Sequence, residues 1–327
     1  MQIIVNEYGA KLSKCENRIV ISSDAKKEEF ASDNINQIII CSPCAITEGA
    51  IQLATSKNID IVFTDFAGRP YARIYPCTLG GTTLTRREQA RACISPKGVQ
   101  IAVKIICGKI TNQAAMLAQL NKTRNNLLNE EITKLLEIEK LLEQKSPPNL
   151  DDFRDELIGY EGYCASIYFL ALNKVQSFGN RNPKSRDIFN IALNYGYGIF
   201  YNQVERSCIL AGLDPYLGFI HTDRYGKPSL TLDLIEIFRP IVDKKIVTMH
   251  VQHKLNDEML DKIGESVTLT KIGKNEILQE VLATFEDTHE FLGKRLTLKS
   301  IMIEQCREIS RYLTGQHEDF EIMRLGY

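Results

Sequence analysis

The stretch that decides the fold runs from 86 to 144 and reads RREQARACISPKGVQIAVKIICGKITNQAAMLAQLNKTRNNLLNEEITKLLEIEKLLEQ. Its apolar residues recur at positions i, i+3 and i+4 over many turns, which is the period of an amphipathic α-helix. Pro147 and Pro148 end this run, because proline cannot continue a helix. A new helix is predicted to open at Leu150, with acidic residues in its first turn. Further helical stretches are predicted at about 187–212, 231–246, 273–291 and 298–315.

The chain before this stretch has the shorter period of β-structure. Short β-rich runs lie at 1–22, 36–42 and 59–65, with turn residues between them. One helical segment, TEGAIQLATSK, interrupts the strands, and the Gly/Thr-rich TLGGTT at 78–83 is the best candidate linker. The sequence therefore predicts an α+β protein with a small β-rich N-terminal domain (1–77), a linker (78–84) and a larger all-α helical domain (85–327).

Composition narrows the class of protein. The 327 residues are 44% hydrophobic and 25% charged, which is ordinary globular usage. No run reaches the roughly 18 uninterrupted apolar residues of a spanning helix, so no membrane association is expected. The N-terminal MQIIVNEYGAKL lacks the pattern of a secretory signal, and the nine cysteines are scattered singly. We therefore expect reduced thiols and a cytoplasmic location.

Charge is unevenly distributed along a chain whose net charge is only −1. From 86 to 124 there are eight basic residues and one acid, so this window carries +7 and the rest of the chain −8. Arg181, Lys184 and Arg186 form a second small cluster. Such segments suit a groove for a polyanion, although a solvated helix face with partners elsewhere would look the same.

Three segments place polar groups in apolar surroundings. Glu161 lies in an apolar helix and needs a cation or donor if it is buried, although it could also be a partly exposed glutamate paired with an arginine. His221 follows the apolar YLGFI, where a hydrogen-bonded structural histidine is the plain alternative. Asp233, Glu236 and Arg239 are spaced by three and share one helix face, as a metal site or as a surface pair.

Taken together, these groups describe a hard, oxygen-rich site with one imidazole. That composition suits Mg²⁺ or Mn²⁺ better than zinc, which favours more cysteine and histidine ligands. Such ions commonly polarise a phosphate oxygen during an in-line displacement. Beside basic clusters, the substrate indicated is a nucleic-acid backbone.

Four ordered segments carry a family resemblance: YEGYCASIYF, NRNPKSRDIFNIALNYGYGIFYNQVE, GLDPYLGFIH and SLTLDLIEIFRP. They resemble the CRISPR-associated integrase family (Cas-one), the universal adaptation protein of CRISPR systems, and the resemblance covers essentially the whole chain. It implies that Glu161, His221 and Glu236 are the catalytic metal ligands, with Asp233 a nearby second carboxylate. It also implies that Asn190, Tyr195 and Tyr197 pack and orient the site. NRNPKSRD departs from the more usual N-R-R-P-P-x-D.

The resemblance further implies an activity and partners. The expected activity is that of a metal-dependent DNA endonuclease and integrase, which inserts short foreign DNA fragments (spacers) into a CRISPR array by 3′-hydroxyl attack on a repeat phosphodiester. The expected partners are double-stranded DNA, a second copy of the chain and a small nuclease-fold protein (Cas-two), with 1–77 serving dimerisation and partner contact. The expected DNA contacts are Arg181, Lys184, Arg186, Arg224, Lys227 and Arg239. A catalytically silent DNA-bridging scaffold and an unrelated metal-dependent nuclease remain alternatives.

Overall fold

The computed structural model describes residues 1–23, 26–65, 68, 70–76, 82–175, 179, 181–221, 226–264 and 266–326. The chain divides into two compact units, 1–80 and 81–327. Each unit has its own hydrophobic core. A β-sheet region is followed by a mostly helical region, which confirms the predicted α+β class.

In its described residues the N-terminal unit contains two four-stranded sheets and one α-helix, α1 (Glu48–Ser56). The strands are β1 (Gln2–Val5), β2 (Ala10–Cys15), β3 (Arg18–Ser22), β4 (Lys27–Ala31), β5 (Gln37–Ile40), β6 (Cys44–Ile46), β7 (Asp60–Thr64) and β8 (Pro70–Ile74). The first sheet has the order β1-β5-β7-β8, in which β8 is antiparallel to its neighbour and the other pairs are parallel. Every residue of the β5 sequence QIII is buried, as expected for an inner strand of a parallel sheet that is covered on both faces. The second sheet has the order β4-β3-β2-β6.

The C-terminal unit is built around long helices. Two interruptions divide the 86–144 stretch: Pro96 begins a new helix, and a turn at 122–128 holds Asn125 and Asn126 at positive φ. Asparagine tolerates that left-handed conformation better than most residues. The helices are α2 (Thr82–Ala92), α3 (Pro96–Asn121), α4 (Asn129–Glu143), α5 (Arg154–Val175), α6 (Ile188–Leu210), α7 (Ser229–Val251), α8 (Lys271–Ala283) and α9 (Leu298–Leu313).

Helix α3 is the centre of this unit and packs against α4, α5 and α7. It is long and apolar enough to cross a membrane by length and composition alone. However, 89% of its most apolar window is buried inside the unit, which is how the core helix of a folded domain is placed. The acidic and basic side chains of the centre described below project from α3 and from α5 and α7, and His221 lies in the loop before α7.

The C-terminal unit is mostly helical and not all-helical as expected, because its described residues also form two β-hairpins. They are β9 (Leu260–Ile263) with β10 (Ser266–Leu269), and β11 (Thr288–Phe291) with β12 (Lys294–Thr297). The helix predicted over 273–291 ends at Ala283. Leu292 and Gly293 form the second hairpin turn, both at positive φ (53° and 68°), and two-residue hairpin turns of this kind need that conformation.

The segment 319–326 runs back along α3 after the last helix. Asn112 of α3 donates to the carbonyl oxygens of Ile237 (2.9 Å) and Met323 (3.1 Å) and accepts from the backbone N–H of Leu325 (2.7 Å). Ile322 lies directly over Gly108, where an added Cβ would come within 2.2 Å of its methyl group. The segment therefore covers the turn of α3 that precedes Lys109.

Candidate metal centre

Two of the three predicted metal ligands meet at one cation. Glu161 on α5 and Glu236 on α7 both contact the ammonium of Lys109 on α3, with Nζ 2.5 Å from Glu236 Oε2. The Lys109 and Glu236 side chains are 6% and 5% exposed, whereas Glu161 is 27% exposed. Three separate helices thus bring two carboxylates to a single point that solvent reaches from the Glu161 side.

The third predicted ligand, His221, is held by the buried carboxylate of Asp233 in the first turns of α7. Asp233 Oδ2 accepts the backbone N–H groups of Phe219 (2.6 Å) and Ile220 (3.0 Å). Its Oδ1 accepts the backbone N–H of His221 (3.0 Å) and lies 2.6 Å from the ring Nδ1. Gly218 makes this close approach possible, because a Cβ there would come within 2.9 Å of Asp233 Oδ2. The contact fixes the ring through Nδ1 and leaves Nε2 as the nitrogen that a metal could use.

Opposite charges balance inside the centre. Arg239 Nη1 lies 2.8 Å from Glu236 Oε1. Burial alone would raise the pKa of Glu236, but the charges of Arg239 and Lys109 outweigh it and hold that pKa below its ordinary value. Burial alone would lower the pKa of Lys109, but Glu236 and Glu161 outweigh it and raise that pKa. Glu236, Lys109 and Arg239 are therefore all ionised at neutral pH.

The donor set fits a hard divalent cation, although it is not assembled as a finished site. Among the described residues, no three His, Cys, Asp or Glu side chains stand close enough to share one metal ion. The Lys109 ammonium occupies the space between the two carboxylates. Glu236 Oε2 is buried against that ammonium. Two carboxylates and an oriented imidazole match the ligands that Mg²⁺ and Mn²⁺ accept.

Arg239 also belongs to a buried network that includes Tyr197, Asp243 and Tyr168. The Arg239 guanidinium lies 4.9 Å from the ring centroid of Tyr197, and the guanidinium of Arg181 lies 5.6 Å from the same centroid. The Tyr197 hydroxyl bonds to Asp243, whose other oxygen lies 3.0 Å from the Tyr168 hydroxyl. Burial raises the pKa of Asp243 to about 6, although both tyrosine hydrogen bonds oppose that shift. The Arg239 guanidinium is therefore held both by Glu236 and by the ring of Tyr197.

The predicted DNA contacts differ in how free they are. Arg181 donates to the side-chain oxygens of Asn190 (2.9 Å) and Asn194 (2.8 Å), and Arg239 is paired with Glu236. Lys184, Arg186 and Lys227 are exposed, and Arg224 lies outside the described residues. Asn190 is buried, and Tyr195 and Tyr197 pack against the main core. DNA contact by these basic residues stays a prediction.

Sequence reasoning counted Lys109 among the basic residues of 86–124, as a phosphate contact. The structure buries it instead, so the basic window is not one solvated face. Two features pointed to this: Lys109 sits in the apolar run KIICGKIT, and a buried Glu161 required a cation. The sequence analysis did not single out Asp243. This acid also lies in an apolar helix, and its carboxylate, like that of Glu161, needs partners when it is buried.

Comparison with known proteins identifies the family of the chain. The family model described as CRISPR associated protein Cas1 matches residues 3–282. A CRISPR-associated endonuclease Cas1 of Archaeoglobus fulgidus is 30% identical over 97% of both chains, and one from Pyrobaculum aerophilum is 33% identical over 76% of this chain and 82% of its own.

Solved structures share the fold. A casposase bound to an integration product has a TM-score of 0.81 at 22% identity, covering 98% of this chain and 92% of that one. A Cas1 protein from Thermotoga maritima has a TM-score of 0.79 at 19% identity over the whole of both chains. A Cas6-RT-Cas1–Cas2 complex has a TM-score of 0.79 at 16% identity, covering 99% of this chain and 36% of that one. With a family model that matches most of its length, the chain belongs to the CRISPR-associated protein Cas1 family.

Proposed function

We propose that this chain is a divalent-metal-dependent DNA endonuclease and integrase that joins short DNA fragments to a CRISPR array. The observation that carries the proposal is the meeting of Glu161 and Glu236 at one cation, together with an imidazole that Asp233 orients. The names of its relatives, CRISPR-associated endonucleases, and of its fold neighbour, a casposase on an integration product, support the same chemistry. Family membership removes the alternative of an unrelated nuclease.

Glu161, Glu236 and His221 Nε2 would hold Mg²⁺ or Mn²⁺. Bound there, the ion would supply positive charge to the phosphate oxygens of the scissile bond. Asp233 keeps the His221 ring at one orientation, and Arg239 keeps Glu236 ionised and in place. The nucleophile would be the 3′-hydroxyl of an incoming fragment, and water in its place would give hydrolysis. One phosphodiester is exchanged for another, so integration needs no separate source of energy.

The surroundings of the centre suit DNA. Exposed Lys184, Arg186 and Lys227 would contact the phosphate backbone and read no bases. The expected partners are double-stranded DNA, a second copy of this chain and a small Cas2-like protein, the last supported by the Cas1–Cas2 composition of one fold neighbour. The proposed location is the cytoplasm, where CRISPR arrays are reached.

The decisive test is a strand-transfer and nicking assay on supercoiled repeat DNA, run with Mg²⁺ or Mn²⁺ and with EDTA. Glu161→Ala, His221→Ala and Glu236→Ala should each abolish both reactions, with DNA binding nearly intact. Wild-type strand transfer by His221→Ala would show that the site is misassigned. A control is Lys262→Ala, which removes an exposed charge from β9 outside the centre.

A second candidate is a scaffold that bridges DNA without chemistry. It is favoured by one observation on the described residues: a lysine ammonium lies where the metal would be, and the ligands are not assembled around a common point. The same assay separates the two. A scaffold would bind fragment and repeat DNA but produce no joined strand with either metal, and its ligand variants would behave like the wild type.

A further inference from the structure

Lys109 is a deeply enclosed ammonium at the candidate centre, and its surroundings are unusual. It lies in the middle of α3, 6% exposed, with its charge between Glu161 and Glu236. A buried lysine is costly unless it is paired, and here two carboxylates from two other helices pair it. The segment 319–326 covers the preceding turn of α3, so the backbone that carries Lys109 is held on that side.

The charges of the ion pairs around Lys109 already balance one another without a metal ion. Lys109 and Arg239 contribute two positive charges, and Glu161 and Glu236 contribute two negative charges. Adding a divalent cation to this set would leave a net charge of +2 in a largely buried place, which is unfavourable. Arg239 is fixed by Tyr197 as well as by Glu236. Within the described part of the chain, the Lys109 ammonium pairs with the two carboxylates alone, so these are the contacts that it has to leave.

We infer that the Lys109 ammonium is an internal counter-ion that takes the cation position between Glu161 and Glu236, so that it and a divalent metal ion exclude each other there. The inference rests on the proposed metal site and identifies the group that competes with the metal ion for it. The ammonium keeps the two carboxylates together and α3, α5 and α7 in register while no metal is bound. Metal binding then requires the ammonium to leave both carboxylates, so the site binds metal more weakly than its ligands alone would.

The test is calorimetric titration of Mn²⁺ into the full chain and into Lys109→Met, whose unbranched side chain is one atom shorter and carries no charge. The apparent Kd for Mn²⁺ should fall by roughly tenfold or more in Lys109→Met, because no ammonium has to be displaced. Without metal the variant should melt at a lower temperature than the wild type, and Mn²⁺ should raise its Tm by more. Lys109→Gln should behave in the same way and serves if Lys109→Met does not fold.

Lys104→Met is the matched control, since Lys104 is on the same helix but pairs with Asp319 and the Phe320 carbonyl. Its Kd for Mn²⁺ should stay at the wild-type value. An unchanged or higher Kd in Lys109→Met would overturn the inference and assign Lys109 a purely structural role. If the wild type shows no Mn²⁺ binding that Glu161→Gln abolishes, the proposed metal site itself falls.

A measurement on the unaltered chain tests the displacement directly. Acetylation of Lys109 by an amine-reactive ester, quantified by peptide mass spectrometry, should increase when Mg²⁺ is added, because the ammonium leaves its enclosed position. Acetylation of Lys104 should not change. Constant protection of Lys109 under Mg²⁺ concentrations that saturate the calorimetric site would overturn the exclusion.

Discussion

Asp233 holds His221 twice, through the backbone N–H at 3.0 Å and through the ring Nδ1 at 2.6 Å. The other carboxylate oxygen accepts the N–H groups of Phe219 and Ile220. One buried acid therefore sets both the path of the chain before His221 and the direction of its ring. The resemblance to Cas1 proteins placed Asp233 beside the metal, and the structure shows it engaged with the histidine and its loop.

Asp233→Asn should weaken divalent binding and destabilise the fold together. The amide offers one acceptor oxygen for a carboxylate that accepts three backbone N–H groups, so a buried donor is left unpaired, at a cost of about 1–3 kcal/mol. Loss of ring orientation should weaken metal affinity by about 10–100-fold. Calorimetry with Mn²⁺ and urea unfolding measure the two effects. A double variant with His221→Ala should lose no further metal affinity; strictly additive losses would contradict a role of Asp233 through His221.

Glu236→Ala should destabilise the fold more than Glu161→Ala. Glu236 is 5% exposed between two cations, and removing it leaves Lys109 and Arg239 without a common partner, which typically costs about 3–5 kcal/mol. Glu161 is 27% exposed, and water can replace part of its contact with Lys109. Urea unfolding without metal measures the difference. Equal losses in the two variants would show that Glu236 is solvated in solution.

Asp243 should make the fold less stable as the pH rises from about 4 to 7. Its folded pKa of about 6 lies above the ordinary 3.8, so the folded chain binds this proton more tightly than the unfolded chain does. The resulting stabilisation is complete below the ordinary pKa and is lost as the pH rises through the folded pKa, about 2–3 kcal/mol in all. Asp243→Asn should remove this component of the pH dependence.

Comparing the pH profiles of wild type and Asp243→Asn isolates that group, because every other titration is shared. The stability of the wild type relative to the variant should decrease between pH 4 and 7. Asp257→Asn, which changes an exposed aspartate, is the control and should have the same pH profile of stability as the wild type. A difference between wild type and Asp243→Asn that does not vary with pH would show that Asp243 titrates normally.

The exposed basic residues should determine how steeply the DNA affinity falls as the salt concentration rises. Replacing Lys184, Arg186 and Lys227 with alanine should flatten the dependence of log K on log salt concentration, by about 0.9 for each phosphate that the protein no longer neutralises. Fluorescence anisotropy with a duplex, at salt concentrations from about 50 to about 300 mM, would measure the slope from strong to weak binding. Lys262→Ala is the control. A triple variant with the wild-type slope would remove these residues from the DNA interface.

The sequence predicted the α+β class correctly, because the period of apolar residues is a local property. The hairpin at 288–297 was missed because two positive-φ residues, one of them Leu292, are invisible to a periodicity count. Lys109 was misread for a different reason. Whether a lysine on a long helix faces solvent or two acids depends on helices that are distant along the chain, and only their packing decides it.

The turn of α3 that carries Gly108 is closed by Ile322, and Asn112 ties the same region to Met323 and Leu325. In chain order these covering residues follow α9, the last of the helices described above. A ribosome must therefore finish the helical bundle before it releases the stretch that seals the face of α3. During translation, the carboxylate–ammonium cluster would stand beside an open groove, and residues made after the bundle would complete its wall.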